Sequence, residues 1–512
     1  MHGFVPFPDE RAAAYRAAGY WSGRPVGSLL DDAAASWPDR PAVIDATTTM
    51  SYAQLDGAVD RAAAALHRRG VGPGDRVLVQ LPNGCAFAVT LFALLRVGAI
   101  PVLCLPGHRA AEIGHLAGVS DAVGIVIPDA TAGFDYPAMA AKLGLRRITI
   151  EDEPGLSPAP QFAPDPAAPA LLLVSGGTTG MPKLIPRTHN DYVYNAIASA
   201  RLCELTTDDV YLVALPAGHN FPLACPGLLG AMSVGATTVF GTDPSPEAAF
   251  ATIARHRVTV TALVPALAAL WAQACDWEPQ RPTTLRLLQV GGAKLAPSDA
   301  ARIREALTPG LQQVFGMAEG LLCYTRPGDA AEVLDTTQGR PLCDDDELRV
   351  VDEDGMEAPE GELLVRGPYT INGYYNAVEA NARSFSPDGF YRSGDRVRRC
   401  ANGYLEVTGR IKDVIVRGGE NIAADELEVH LLSHPGIQSA AVVGLPDEYL
   451  GEKVCAAVVF IGAPLLLADL NRHLDECGVA THTRIDQLAV LPALPTTAVG
   501  KIDKKALARQ LG

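Results

Sequence analysis

Leu171-Leu-Leu-Val-Ser-Gly-Gly-Thr-Thr-Gly-Met-Pro-Lys183 joins a short apolar run to a loop holding three glycines, one serine, two threonines and one lysine. The apolar run reads as a buried strand. Glycines let backbone N–H groups approach an anion closely, hydroxyls add donors and a lysine adds charge. That combination suits phosphate. It is not the common nucleotide P-loop, which needs Gly-Lys-Ser/Thr in direct succession, because Met181 and Pro182 separate Gly180 from Lys183. Taken alone, the stretch reads equally well as a flexible Gly/Thr turn.

On its N-terminal side, alanine-rich helical patterns cover 11–18, 27–36 and 53–69, with short strands at 41–46 and 49–51. A strand at 76–81, a helix at 85–97 and a strand at 100–105 follow, then strands at 125–127 and 147–150. The proline- and alanine-dense 156–169 reads as a linker. Beyond the loop comes a helix at 192–203. Strands at 210–215, 237–239, 262–263 and 287–290 then alternate with helices at 226–234, 248–256 and 267–274. This alternation implies doubly wound α/β sheets. From about 336, short strands at 347–352, 361–366 and 403–407 form a β-rich part. The last hundred residues read as a compact α+β unit with helices at 424–432 and 465–477, strands at 439–444 and 454–460, and a last helix from Asp503. The expected division is a core of 1–410, made of 1–160, 161–335 and 336–410, followed by a small mobile lid of 411–512.

A chain of 512 residues is too long for one core. A net charge of −16 with no basic stripe argues against a nucleic-acid partner, so any phosphate site is local. The most apolar window, 89–105, is broken by Arg96 and Pro101 and does not read as a membrane span. The N-terminus has no signal-peptide pattern, and ten cysteines lie scattered without a Cys-x-x-Cys pair. Buried thiols in a reducing cytoplasm are expected.

Four further stretches carry chemistry. In Gln312-Gln-Val-Phe-Gly-Met-Ala-Glu-Gly320, Glu319 sits on a glycine-bounded loop, either as a helix cap or as a ligand for a Mg²⁺ ion that bridges phosphate oxygens. Asp395 of Tyr391-Arg-Ser-Gly-Asp395 follows a tight turn and can accept ribose hydroxyls, or belong to a plain turn. Gly409-Arg-Ile-Lys-Asp413 lies on the domain boundary, and Lys501 sits on a glycine turn before the last helix. Lys504 and Lys505 read as that helix's solvated face.

In this order, from about residue 5 to the C-terminus, the motifs resemble the adenylate-forming superfamily of acyl-CoA synthetases, peptide-synthetase adenylation domains and luciferases. The resemblance implies ATP and Mg²⁺, and two half-reactions: a carboxylate and ATP give an acyl-adenylate and pyrophosphate, and a thiol then takes the acyl group. It implies that Ser175, Gly176, Gly177, Thr178, Thr179, Gly180 and Lys183 hold the β- and γ-phosphates. Gly291, Gly292 and Ala293, with Val314, are then the adenine-binding turn. Glu319 is the metal ligand, Asp395 and Arg410 are the ribose contacts, and Lys412 is the hinge. Lys501 is the lysine that reaches the carboxylate and bridging oxygen. None of these positions departs from the family pattern, so catalytic competence is expected.

Gly19-Tyr-Trp21, His219-Asn-Phe-Pro-Leu-Ala-Cys-Pro-Gly227 and Gly367-Pro-Tyr-Thr-Ile-Asn-Gly-Tyr-Tyr375 resemble the aryl-acid branch that starts siderophore assembly. His219 joins the catalytic set there, and Asn220, Phe221, Cys225 and Leu322 form the substrate pocket. Amino-acid-activating relatives carry an aspartate where Asn220 stands, to pair with an ammonium. A neutral amide instead suits an ortho-hydroxyl. Relatives for 2,3-dihydroxybenzoate tend to carry serine and valine where Cys225 and Leu322 stand, so salicylate ranks first and 2,3-dihydroxybenzoate second. 3-Hydroxypicolinate and 2-aminobenzoates stay open. No helical module follows the lid, so the expected acceptor is the phosphopantetheine thiol of a separate aryl carrier protein. An aryl-CoA ligase using coenzyme A is the nearest alternative, and a catalytically inactive nucleotide-binding scaffold is a further one.

Overall fold

The computed structural model describes residues 1–129, 133–150, 158–160, 162–175, 181–417, 420–447, 449–477, 479, 483–497 and 500–512, apart from the side chains of 412, 420 and 421. Among these, one sheet of nine strands runs in the order Arg340–Pro341, Gly320–Tyr324, Leu311–Met317, Leu287–Gly291, Val260–Leu263, Val210–Val213, Thr237–Phe240, Pro41–Ile44, Thr49–Ser51. A second, of five, runs Gly124–Val126, Arg76–Val79, Ile100–Leu103, Pro169–Val174, Leu184–Thr188. The α/β class holds, but the sheets do not divide at residue 160. The hairpin 41–51 pairs with Thr237–Phe240 in the nine-stranded sheet, and the strands flanking the glycine loop close the other sheet. Strand rhythm along the chain carries no information about which sheet a strand joins, because pairing is non-local.

Local signals account for the helices that frame the site. Ser51 and Gln54 form a capping box that starts the helix Tyr52–Arg68, whose Leu55, Val59, Ala62 and Leu66 face the core. Thr188 and Asp191 make another, which starts the helix His189–Leu202 three residues before the expected 192. The reading of 147–150 as a strand is corrected: Arg147 makes only an isolated bridge to Ile125.

The β-rich part is a four-stranded antiparallel sheet, Glu347–Val351, Glu360–Arg366, Tyr391–Arg399 and Leu405–Arg410. Asp395 therefore lies within a strand rather than after a tight turn; the positive φ of Gly394 bends that strand locally. After the 3-10 turn Ile411–Asp413 the chain builds another sheet from Val414–Arg417, Glu420–Ala423, Ile437–Asp447, Gly451–Phe460 and Gln487–Val490. The helices Ala424–Leu432 and Leu467–Glu476 pack their leucines on it around Ile415, Val442 and Val458. Lys504 is not on a solvated face. Its Nζ lies 2.6 Å from Asp425 and 2.9 Å from Glu428, while Lys505 is exposed as expected. Eight of the ten cysteines are buried; Cys400 is half-buried and Cys477 exposed. No helix among the described residues is long and apolar enough to cross a membrane.

Candidate active site

The parallel strands of the nine-stranded sheet end together, and a cavity opens at their carboxyl ends, where open α/β sheets bind ligands. Leu215, His219, Phe221, Val264, Gly291 and Gly292 line it, and Lys501 enters from the C-terminal unit. Gly291 pairs in register with Val314 on the neighbouring strand, and a Cβ on Gly291 would stand 2.5 Å from the Val314 carbonyl oxygen. Gly292 has φ +90°, and a Cβ there would meet Lys501 Cε at 2.9 Å. Both positions thus require glycine, for close approach and for backbone conformation respectively. Ala293 follows on the exposed rim.

Lys501 sits on the turn closed by its carbonyl, which accepts from the Thr497 amide at 2.7 Å. Burial, then the nearby Arg410 guanidinium, pull its ammonium down to about 8, against the raising influence of Asp395 and Glu319. Asp395 and Arg410 face each other across paired strands, with Arg410 Nε donating to Asp395 Oδ1 at 3.0 Å. Burial raises the Asp395 carboxyl while Arg410 and Lys501 lower it. His219 caps the short helix Asn220–Ala224, its Nδ1 accepting from the Phe221 amide at 3.2 Å. Burial and the Lys501 charge lower its imidazole to about 3, so at neutral pH it is uncharged.

Glu319 occupies the turn between the antiparallel strands Leu311–Met317 and Gly320–Tyr324, not a helix cap. It is buried, and the Tyr374 hydroxyl donates to its Oε1 at 2.7 Å while contacting the Tyr391 hydroxyl at 3.0 Å. Lys183 Nζ lies 3.9 Å from the centroid of the Tyr374 ring, a cation–π distance. Lys183 also closes the glycine loop: its amide donates to Ser175 Oγ at 2.8 Å and its carbonyl accepts from the Ser175 amide. Tyr374 therefore links the loop's lysine to the acidic turn. Gly176, Gly177, Thr178, Thr179 and Gly180 lie outside the described residues, as does the Lys412 side chain.

Deeper in, Asn220 is buried beside Cys225. Its Nδ2 donates to Cys225 Sγ at 3.4 Å, and its Oδ1 accepts from the Tyr192 hydroxyl at 2.9 Å. Burial pushes the Cys225 thiol up to about 12, so it is protonated. Leu322 lies on the strand after the acidic turn, packed over Gly316, where a Cβ would stand 2.5 Å from its Cδ2. Its amide donates to the Tyr369 hydroxyl, which in turn donates to Asp346 at 2.6 Å.

The sequence reading missed Tyr374, Tyr391, Tyr192 and Arg187. Arg187 is completely buried, pairs with Asp191 at 2.8 Å, donates to the carbonyls of Ala318 and Tyr369, and lies over the Tyr192 ring. Its only sequence signal is a charged residue in the apolar strand that follows the glycine loop.

An AMP-binding enzyme family model matches residues 30–375, and an AMP-binding enzyme C-terminal domain model matches 426–501. The chain is 67% identical over its full length to a salicyl-AMP ligase / salicyl-S-ArCP synthetase of Mycobacterium tuberculosis, covering 95% of that protein. It is 44% identical over 99% of its length to a 2,3-dihydroxybenzoate-AMP ligase of Bacillus subtilis, covering 97% of it. Among solved structures, the apo structure of MbtA from Mycobacterium smegmatis aligns with TM-score 0.77 and 65% identity over 99% of both chains. With its two parts matched by the family's two models and its whole length by aryl-acid AMP ligases, the chain belongs to the AMP-binding enzyme family.

Proposed function

We propose that this chain is an aryl-acid AMP ligase that joins salicylate to ATP, releases pyrophosphate, and then passes the salicyl group to the phosphopantetheine thiol of an aryl carrier protein in siderophore-type biosynthesis. The observation that carries the choice of acid is Asn220, a neutral amide held between the cavity-lining His219 and Phe221 and bonded to Tyr192 and Cys225. An α-amino acid would leave a buried ammonium unpaired there, at a cost of several kcal/mol.

In the first step a carboxylate oxygen bonds to the α-phosphorus while the bond from that phosphorus to the pyrophosphate oxygen breaks. Anion approaches anion, so the reaction rests on positioning and on positive charge placed where charge develops. Lys501 supplies that charge at the cavity. Asp395 and Arg410 would hold the ribose, Gly291 to Ala293 with Val314 the adenine, and 175–183 the phosphates. Glu319, whose Oε1 is already braced by Tyr374, fits the donor set of Mg²⁺, one carboxylate completed by phosphate oxygens and water. When bound, that ion would offset the triphosphate's charge. Uncharged His219 would border the acid without competing for its carboxylate. In the same reading 1–410 is the core, 411–512 the lid and Lys412 the hinge that carries Lys501 in and out.

2,3-Dihydroxybenzoate ranks second. The Cys225 thiol donates to the Asn220 carbonyl at 3.4 Å and its sulfur accepts from the same residue's side chain, so it has no proton left for a 3-hydroxyl. An unmatched buried hydroxyl costs about 1–3 kcal/mol. ATP–pyrophosphate exchange across salicylate, 2,3-dihydroxybenzoate, 3-hydroxypicolinate, benzoate and amino acids tests the reading. Salicylate should exchange fastest; no exchange with any aryl acid would mean an inactive nucleotide-binding scaffold. Transfer to free coenzyme A as fast as to a carrier thiol would indicate an aryl-CoA ligase.

A further inference from the structure

Three hydrogen bonds around Asn220 determine which way its amide faces. The Cys225 Sγ–H donates to the Asn220 main-chain oxygen at 3.4 Å, so that proton is committed and the sulfur is left as an acceptor. The side-chain atom facing the sulfur, 3.4 Å away, is the nitrogen, a weak contact that does not by itself hold the amide. That turns Oδ1 toward Tyr192, whose hydroxyl donates to it at 2.9 Å. The opposite orientation would set an amide oxygen against a sulfur with no proton to offer, and would leave the buried phenol without its acceptor.

Tyr192 is itself fixed from behind. Its ring lies under the Arg187 guanidinium, 4.6 Å away, and it is fully buried on the helix His189–Leu202. Arg187 is anchored by Asp191, by the Asn195 side chain and by the carbonyls of Ala318 and Tyr369. Asn195 donates to the Ala224 carbonyl at 2.6 Å, beside Cys225. Moving the phenol to another partner would pull its buried ring from under the Arg187 guanidinium. Burial also keeps it protonated at any working pH.

We propose that Tyr192 is a specificity-determining positioning residue, which keeps the Asn220 amide oxygen turned toward itself so that the amide presents its N–H edge to an ortho substituent. Asn220 Nδ2 carries two hydrogens and spends one on Cys225, leaving one for the ligand. Its partner must accept. The ortho-oxygen of a 2-hydroxybenzoate can do so while its own proton rests on the neighbouring carboxylate. The nitrogen of a 2-aminobenzoate is a poor acceptor, because its lone pair is delocalised into the ring, and its two hydrogens would face a donor. This decides between two acids that an asparagine of free orientation would serve equally. It rests on the aryl-acid reading above.

The test is the ratio of kcat/KM for salicylate to that for 2-aminobenzoate in ATP–pyrophosphate exchange, measured with Tyr192→Phe. Phenylalanine keeps the ring under Arg187 and removes one hydroxyl. The ratio should fall about tenfold, a hydrogen-bond-sized effect, while KM for ATP and the rate with benzoate stay unchanged. A second background separates orientation from packing. Asn220→Asp presents oxygens on both sides, so Tyr192→Phe should leave the ratio unaltered there. An unchanged ratio in the Asn220 background, or an equal fall in both backgrounds, overturns the proposal. Wild-type protein that exchanges with neither acid overturns the aryl-acid reading instead, before any variant is made.

Discussion

Lys501 and Gly292 lie far apart in the chain yet meet so closely that a Cβ on Gly292 would stand 2.9 Å from Lys501 Cε. The contact joins the C-terminal unit to the carboxyl edge of the central sheet, and it makes the glycine part of the lysine's positioning. Gly292→Ala should therefore displace Lys501 and strain a residue at φ +90°, lowering adenylation by about ten- to a hundredfold. Pyrophosphate exchange and single-turnover thiol transfer from preformed adenylate, measured side by side, check this; transfer should change much less.

Removing the charge itself should cost more. Lys501→Ala is expected to raise the adenylation barrier by about 3–4 kcal/mol, the size of losing a preorganised charge donor. Equal slowing of both half-reactions would contradict a role confined to adenylation.

The depressed Lys501 pKa gives that role a pH signature. Only the ammonium carries the useful charge, and it deprotonates as pH rises through about 8. Adenylation kcat/KM for the acid should therefore fall on the alkaline side with an inflection near that value. Lys501→Arg, whatever its residual rate, should move the inflection out of the accessible range, because a guanidinium does not lose its proton there.

Arg187→Met should destabilise the protein by about 3–5 kcal/mol, since it leaves Asp191 buried without its partner. Calorimetric melting measures that loss. Arg187→Met combined with Asp191→Asn should recover part of it, which would show that the cost is the orphaned carboxylate rather than lost packing.

Lys504 sits among Asp425, Glu428 and, at 3.9 Å, Asp413 of the inter-unit turn. Burial raises Glu428 from 4.5 to about 7, with Lys504 opposing. The folded state thus holds a proton that the unfolded chain releases. In that interval the folded form binds more protons, so stability from this group is present below 4.5 and lost as pH rises through about 7. Glu428→Gln should flatten that slope in melting temperature against pH.

Much of this was legible from the chain because its signals are local. Apolar runs between glycines gave strands, and the helix Ala424–Leu432 stands where its periodicity put it. The glycine loop, Glu319, Asp395 and Lys501 were singled out by residue type and order, and three of them share one neighbourhood in the fold: Lys501 and Asp395 perturb each other's titration, and the Glu319 charge raises both. Misreadings arose where long-range pairing decides. Asp395 looked like a turn residue because Ser393 and Gly394 are turn formers, yet its backbone pairs with Arg410 in a strand. Lys504 looked solvated because its carboxylate partners lie more than seventy residues earlier.

The amino-acid sequence by itself determined the family and the α/β class and supplied the candidate site residues, since each rests on short patterns whose chemistry does not depend on distant neighbours. Tertiary structure alone decided how those residues are held. It brought Tyr374 to Glu319 and Lys183, set Gly292 against Lys501, and turned the Asn220 amide by placing Tyr192 on one side and Cys225 on the other. The reason is that a hydrogen bond depends on direction as well as composition: an asparagine in a sequence is both donor and acceptor, and only its packed neighbours determine which group remains for the ligand.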